Sequence, residues 1–521
     1  MSIETSPGVS LQEEVLDFLG RAETHNLTSP PARIDTHASV VFLAGDEVYK
    51  VKRAIKLAFL DYSSLEKRRH FCEREYTINR KLAPGIYKGV VAISRTPAGF
   101  ELGGSGEVVE WAVHLRRFDE SRTLDRVAEQ GGLDAQVIRD LAAVIATAHA
   151  AAKPVRDGQA TEALAGVIDE TLNALLQATP LFPCEKVEEF SRAMRASFHE
   201  IRGLLMTREA TGHVRHCHGD MHLRNIVLLD GKPTLFDAIE FDDRIATTDT
   251  LYDLAFLIMD LWGKHLTGEA NEVLNRYLWL TKDLIDELNG LAALPLFLSL
   301  RAAIRAKVAA LNAAKSPAAP GAANEARLYF ETAQEFLRPE RPFLIAIGGR
   351  SGTGKSTLAR ALAPRVGRAP GAIHLRSDIE RKRQFHVPET ERLPASAYKP
   401  EVSHRIYEAL DKQACSALQA GQSVIVDATF LNGFERNAVT QLAKQAGADF
   451  RGFWLEAPTG LLIDRLITRI NDASDATPEI ARRQPVTETP PGWTFLDAAK
   501  VTAELRDLAL QSLGSRPGRS G

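Results

Sequence analysis

Cysteine is scarce: Cys72, Cys184, Cys217 and Cys415 are scattered through 521 residues with no C-x-x-C pair. That argues against a disulfide framework or a zinc knuckle and suits a reducing compartment. An excess of one charge is also missing. The formal net charge is −3, which gives no support to a nucleic-acid or membrane-surface role. No apolar run is long enough to span a membrane. The most apolar, Leu291–Leu300, contains Pro295 and Ser299, stops at Arg301, and reads as a buried helix. The start, Met1-Ser2-Ile3-Glu4-Thr5, lacks a basic region followed by an apolar core, so a cytoplasmic protein without a secretory leader is expected. No repeat of fixed period is present. The remaining composition, 45% hydrophobic and 25% charged, is that of a globular protein, and the length predicts two to four domains.

Residues 349–357, Gly-Arg-Ser-Gly-Thr-Gly-Lys-Ser-Thr, satisfy G-x-x-x-x-G-K-[ST], the Walker A pattern. The apolar run 343–347 before them reads as a buried strand, and 355–363 after them as a helix. That context marks a phosphate-binding loop. Gly349, Gly352 and Gly354 let the backbone wrap a polyphosphate. Lys355 is expected at the β/γ-phosphates, Ser356 on Mg²⁺, and Thr357 beside it. Strands at 343–348, 373–376, 423–427, 450–456 and 493–497 alternate with helices at 355–363, 400–420, 435–446 and 458–470, which predicts a parallel sheet covered on both faces. Asp378, in Arg376-Ser377-Asp378, suits a catalytic base, and Asp427, at the end of a strand, suits the acid that organises the metal. Arg465 and Arg469, at i, i+4, suit a cationic lid over the phosphates, and Arg381 and Arg436 suit the acceptor. The basic cluster Arg376, Arg381, Lys382 and Arg383 could face a nucleic-acid end, but no aromatic residue interleaves before Phe385, so a nucleic-acid partner is not expected.

Earlier in the chain, a helix at 9–20 precedes a hairpin (39–43 and 47–51), a helix at 64–83 and strands at 89–94 and 108–116: a small sheet carrying a helix. Helical periods then run over 133–209 and 248–312, broken by a hairpin at 225–236. Ser316–Ala323 reads as a linker, 325–337 as a last helix, and 514–521 as a frayed tail. Domains are expected at 1–338 and 341–513. The segment His218-Gly219-Asp220-Met221-His222-Leu223-Arg224-Asn225 has the D-x-x-x-x-N spacing of a kinase catalytic loop, and Asp237 follows twelve residues later. Phosphoryl transfer needs one carboxylate to accept the hydroxyl proton, and an amide with a second carboxylate to hold Mg²⁺. Asp220, Asn225 and Asp237 fill those roles. His216, Cys217 and His222 add a His/Cys run, but His218 is accounted for by the loop itself, so zinc is not expected. A phosphate lysine is also required. Lys50 and Lys52 lie two apart on one strand face. Lys50 is favoured because it puts apolar Val48 at the base pocket; Lys52 is the alternative. Glu75 is favoured over Glu73 as its partner.

On these motifs, residues 30–338 resemble the aminoglycoside phosphotransferase branch of the protein-kinase-like fold, an α+β fold. There the aspartate matching Asp220 is the catalytic base, and the residues matching Asn225 and Asp237 bind metal. The C-terminal part resembles small P-loop kinases of the gluconate-kinase, polynucleotide-kinase and zeta-toxin type. The whole chain resembles bifunctional proteins that fuse the two. The resemblance implies an ATP- and Mg²⁺-dependent phosphotransferase acting on a small hydroxylated metabolite. Arg301 and Arg305, on one helix face, argue against a polycationic aminoglycoside if that face lines the acceptor cleft. The rival expectations are a P-loop domain that alone catalyses beside a recognition module, and an ATP-gated regulator without a small-molecule acceptor.

Overall fold

The computed structural model describes residues 7–57, 60–179, 181–315, 320–469 and 472–514. Two compact units emerge: Met1–Ala163 with Arg208–Leu257, and Leu164–Thr207 with Ile258–Gly521. Among the described residues, no helix is long and apolar enough to cross a membrane.

The first unit is built on a six-stranded antiparallel sheet in the order Ala32–Asp35, Ser39–Ala44, Glu47–Lys52, Glu107–Arg116, Tyr87–Thr96, Gly99–Leu102. Both outer strands, Ala32–Asp35 and Gly99–Leu102, go beyond the strands expected from sequence. Alternation along the strands gives the sheet two apolar faces. Val40, Phe42 and Val51 pack with Val15, Leu16 and Leu19 of the helix Pro7–Leu19. Val48, Val113 and Leu115 pack with Cys72 and Ala83 on the side of the helix Leu65–Leu82. The sheet therefore carries a helix on each face, not one. Lys50 and Lys52 share the Val48 face, so they point toward the helix that bears Glu75. Ser64 caps that helix by accepting from the Lys67 amide at 3.3 Å. The hairpin Ile226–Leu229/Lys232–Leu235 and the helix Thr250–Gly263 complete the site-bearing part.

The second unit holds a five-stranded parallel sheet, order Ile373–Arg376, Val424–Asp427, Phe343–Gly349, Asp449–Glu456, Trp493–Asp497. Every residue of the central strand Phe343–Gly349 is buried, as a parallel sheet covered on both faces requires. Three helices join those expected: Ser377–Gln384, Pro478–Arg483 and Thr502–Ser512. The same unit contains helices that precede the sheet in sequence. One of them, Thr267–Leu280, closes the open side of the edge strand Ile373–Arg376. Asn271 and Asn275 each donate to the Ala372 carbonyl, at 3.1 and 3.2 Å. The Asn275 side chain accepts from the His374 amide at 2.7 Å, and Trp279 donates to the His374 carbonyl at 3.3 Å. An edge strand exposes unpaired backbone groups, and here side chains pair them. Of the expected linker 316–323, residues 316–319 lie outside the described residues, and Pro320 already opens the helix Pro320–Phe336. Of the expected tail, 515–521 lie outside them too.

Candidate active sites

In the first unit the loop 218–225 is held from behind. The Asp253 carboxylate accepts the His218 amide at 3.2 Å and the Gly219 amide at 2.8 Å, and lies 3.1 Å from His149 Nε2. Asp253 is fully buried on a largely apolar helix. This brace was not singled out from the sequence. An acid within the apolar run 251–259 was the available signal, since a buried carboxylate needs partners. His149, Cys217 and Asp253 form a buried trio with donor atoms within 4.8 Å; the carboxylate's hydrogen bonds give it a structural role without an ion. Gly219 sits at φ +82, where a side chain would also press on Ile239 and Ala246 at 3.1 and 3.4 Å. His218 reaches the Phe236 carbonyl at 2.9 Å, and burial pushes its imidazole pKa down. It is a member of the loop's scaffold.

That scaffold presents Asp220 to a cleft of about 640 Å³. Asn225 donates to the Asp220 carboxylate at 3.1 Å and to its carbonyl at 3.0 Å, and His222 lies 3.3 Å from the same carboxylate. Val48, Lys50, Glu75, Asp220 and Asp237 line the cleft together. Lys50 bridges Asp237 at 2.7 Å and Glu75 at 3.0 Å. Lys52 reaches the other Glu75 oxygen at 2.7 Å but is only 1% exposed, does not line the cleft, and pairs with Glu240, which does. Burial alone would raise the Glu75 pKa; the two lysines hold it well below the carboxylate range. Glu73 pairs instead with Arg69 at 2.8 Å on the exposed side of the helix.

The second unit builds its site on a strand–loop–helix. Gly349 has φ +136, and a Cβ there would run into the Leu455 carbonyl; at Gly352, φ +87, it would meet the Leu462 carbonyl at 2.9 Å. Only glycine fits such a cradle. Gly354 precedes the helix Lys355–Leu362. Lys355 Nζ turns onto the Gly349 and Arg350 carbonyls at 3.0 and 2.9 Å, and burial lowers its pKa. Ser356 donates to Asp427 at 2.5 Å, and Thr357 follows in the first turn of the helix. His374 and Arg376 approach the same carboxylate at 3.3 and 3.6 Å. Burial works against ionisation of Asp427, yet the bond to His374 and the nearby cations hold its pKa at about 2. Burial raises the pKa of Asp378, with the Asp427 charge adding to it against Arg376.

Several expected cations are already engaged. Arg465 donates to the Ala498 carbonyl at 2.8 Å, and Arg469 to the Ser474 and Ala476 carbonyls at 2.8 and 3.0 Å. The helix ends at Thr468, so Arg469 does not extend a helical face begun by Arg465; its charge does act on Lys355. Arg381 donates to the Ala397 carbonyl at 2.5 Å and stacks on Tyr398, while Arg436 donates to the Phe430 carbonyl at 2.6 Å. Lys382 pairs with Asp475 at 2.7 Å, and Arg383 donates to the Thr281 and Lys282 carbonyls. The run 376–383 is thus an internally paired cluster and not a basic patch. Arg305 packs over Tyr329 and lies 3.5 Å from Glu325, and Arg301 is buried. Both arginines are absorbed by their own helical packing, which removes the basis for reading acceptor charge from them.

Comparison with known proteins finds two family matches along the chain. Residues 67–289 match the family described as "Phosphotransferase enzyme family", and 344–485 match the one described as "AAA domain". The chain is 31% identical over 477 residues to "Uncharacterized protein Rv2004c" of Mycobacterium tuberculosis, covering 89% of this chain and 91% of that protein. The chain belongs to this family, an aminoglycoside-phosphotransferase-like domain joined to a P-loop kinase-like domain. Among solved structures, a choline/ethanolamine kinase family protein from Mesorhizobium loti is 15% identical, covering 63% of this chain and 95% of its own, with TM-score 0.39. A sugar kinase from a Janibacter species is 18% identical, covering 33% and 95%, with TM-score 0.25.

Proposed function

We propose that this family member is an ATP- and Mg²⁺-dependent phosphotransferase with two nucleotide sites, transferring phosphoryl groups to a hydroxyl of a small metabolite. One observation carries the reading: Lys50 lies between Glu75 and Asp237 in the cleft that Asp220 also lines. In that cleft Asp220 accepts the acceptor's hydroxyl proton and Lys50 steadies the nucleotide phosphates. Asp237 and Asn225 hold Mg²⁺. Val48 suits the apolar face of a base. When bound, the ion neutralises phosphate charge that builds during transfer. In the P-loop part, the amides from Gly349 to Gly354 cradle phosphate, Lys355 leaves its carbonyls to meet it, and Ser356 with Asp427 holds the metal. Asp378, with its raised pKa, is the base, and Arg469 supplies positive charge near Lys355. Arg465 joins it only by leaving the Ala498 carbonyl. The reading also implies cytoplasmic work, where ATP and metabolites are found.

The test uses γ-labelled ATP, a cytosolic small-molecule extract and mass spectrometry of labelled products, with the intact protein, Asp220→Ala and Lys355→Ala. Different products lost in the two variants are expected. Phosphorylation untouched by Asp220→Ala reduces the N-terminal part to a recognition module. ATP consumption with no labelled small molecule means a nucleotide-gated regulator.

A further inference from the structure

Two lysines converge on one glutamate in the first unit, and only one of them belongs to the cleft. Each takes its own oxygen of Glu75: Lys50 at 3.0 Å on Oε1 and Lys52 at 2.7 Å on Oε2. Lys52 is anchored further by Glu240 and by the Tyr62 hydroxyl at 3.3 Å, and its ammonium lies over the Tyr62 ring at 4.9 Å. Tyr62 in turn donates to Glu240 at 2.9 Å. Lys52, Glu75 and Glu240 are all buried, whereas Lys50 keeps 18% of its side chain open and Asp237 43%. A fully buried lysine is costly unless its charge is matched, and here Glu75 and Glu240 match it.

We infer that Lys52, Tyr62 and Glu240 are positioning residues: they occupy one oxygen of Glu75, so that the other oxygen and Asp237 hold the Lys50 ammonium extended into the cleft. This rests on the reading of that cleft as a nucleotide site. Without Lys52, both Glu75 oxygens turn to Lys50 and draw it off the phosphates. Without the Glu240 charge, Lys52 claims Glu75 and releases Lys50 to Asp237. Such a role explains why strand periodicity alone cannot separate the two lysines: both serve the same site, one at its surface and one beneath it.

The experiment uses an acyl-phosphate derivative of ATP. A lysine amine beside the bound phosphates attacks the acyl carbon, forming an amide, and ATP leaves with the broken acyl–oxygen bond. Peptide mass spectrometry of the intact full-length protein then reads which lysines are modified. Expected is labelling at Lys50 and Lys355 and not at Lys52. Glu240→Gln and Lys52→Met should cut Lys50 labelling at least fivefold at subsaturating probe. Lys355 labelling stays constant, and Glu240→Asp recovers part of the loss. Unchanged Lys50 labelling in both variants overturns the positioning role alone. Labelling of Lys52 in the intact protein overturns the assignment of the two lysines. No labelling of either while Lys355 is labelled defeats the nucleotide reading of the cleft, and this inference with it. If Glu240→Gln and Lys52→Met also lose Lys355 labelling through misfolding, Tyr62→Phe decides: it removes one hydroxyl, and Lys50 labelling equal to that of the intact protein overturns the role.

Discussion

At the scale of single residues, Asp253 and Asp378 show what burial does to a carboxylate. Asp253 is matched by two backbone amides and an imidazole. Replacing it with alanine leaves the His218 and Gly219 amides buried and unpaired, at a cost of about 1–3 kcal/mol for an orphaned buried group. The loop that presents Asp220 would lose its brace. Asp253→Ala is expected to abolish the Asp220-dependent product and to lower the urea midpoint by a matching amount; a variant with full product and an unchanged midpoint would disprove the brace. Asp378 has the opposite balance, since burial raises its pKa. A base must be deprotonated to act, so the Lys355-dependent rate should rise with pH through a value above the usual ~3.9 of aspartate. Asp378→Asn should remove that limb together with the rate. A limb that persists in Asp378→Asn would assign it to another group. The P-loop was legible in sequence because its chemistry is contiguous: nine residues carry glycines, lysine and hydroxyls in fixed spacing. Lys50 against Lys52 was not, because a two-residue period puts both on one face and only their partners distinguish them. Asp253 acts on backbone 34 and 35 residues away, and no local spacing announces that.

At the scale of elements, the strands and helices with strong apolar periods were legible, and the exceptions have physical causes. The helix Ser377–Gln384, Ser-Asp-Ile-Glu-Arg-Lys-Arg-Gln, has a single apolar residue and no amphipathic stripe. It is held by polar contacts, such as Gln413 donating to Glu380 at 2.7 Å and Lys382 pairing with Asp475. The strands Ala32–Asp35 and Gly99–Leu102 sit at the two edges of their sheet. The first is exposed along its whole length and the second alternates between exposed and half-buried residues, so neither has a run of core positions. The expected boundary at 338–341 follows the change from helical to alternating pattern, which is a property of the chain's order. Packing follows other lines, because the helix Thr267–Leu280 supplies the side chains that pair the edge strand Ile373–Arg376. Asn275→Ala removes the acceptor of the His374 amide and one donor to the Ala372 carbonyl. A loss of about 1–3 kcal/mol is expected on the cost of an unpaired buried amide. His374 also hydrogen-bonds Asp427, so the Lys355-dependent product should fall along with stability. Stability and product both at the level of the intact chain in Asn275→Ala would mean that water or a neighbour replaces the asparagine.

For the whole molecule, two compact units with two candidate nucleotide sites make a thermodynamic statement possible. A ligand stabilises what it binds by RT ln(1 + [L]/Kd), about 2.7 kcal/mol at one hundred times Kd. The cleft residues Lys50, Glu75, Asp220 and Asp237 all belong to the first unit, and Lys355, Ser356 and Asp427 all belong to the second. If each unit unfolds as its own cooperative step, MgATP should raise two transitions in a calorimetric scan. Lys355→Ala should cancel the shift of one, and Lys50→Ala the shift of the other. Removing the magnesium with a chelator should diminish both shifts, because Asp237 and Asp427 would then face the phosphates without an intervening cation. Loss of every shift in Lys355→Ala alone would leave the P-loop as the single nucleotide site and withdraw ATP from the cleft. Loss of every shift in either variant would mean that the two sites fill together, with the units sharing one folding equilibrium. Separate cancellation is the expected outcome, since each site draws its phosphate-facing groups from one unit and each unit has its own apolar core.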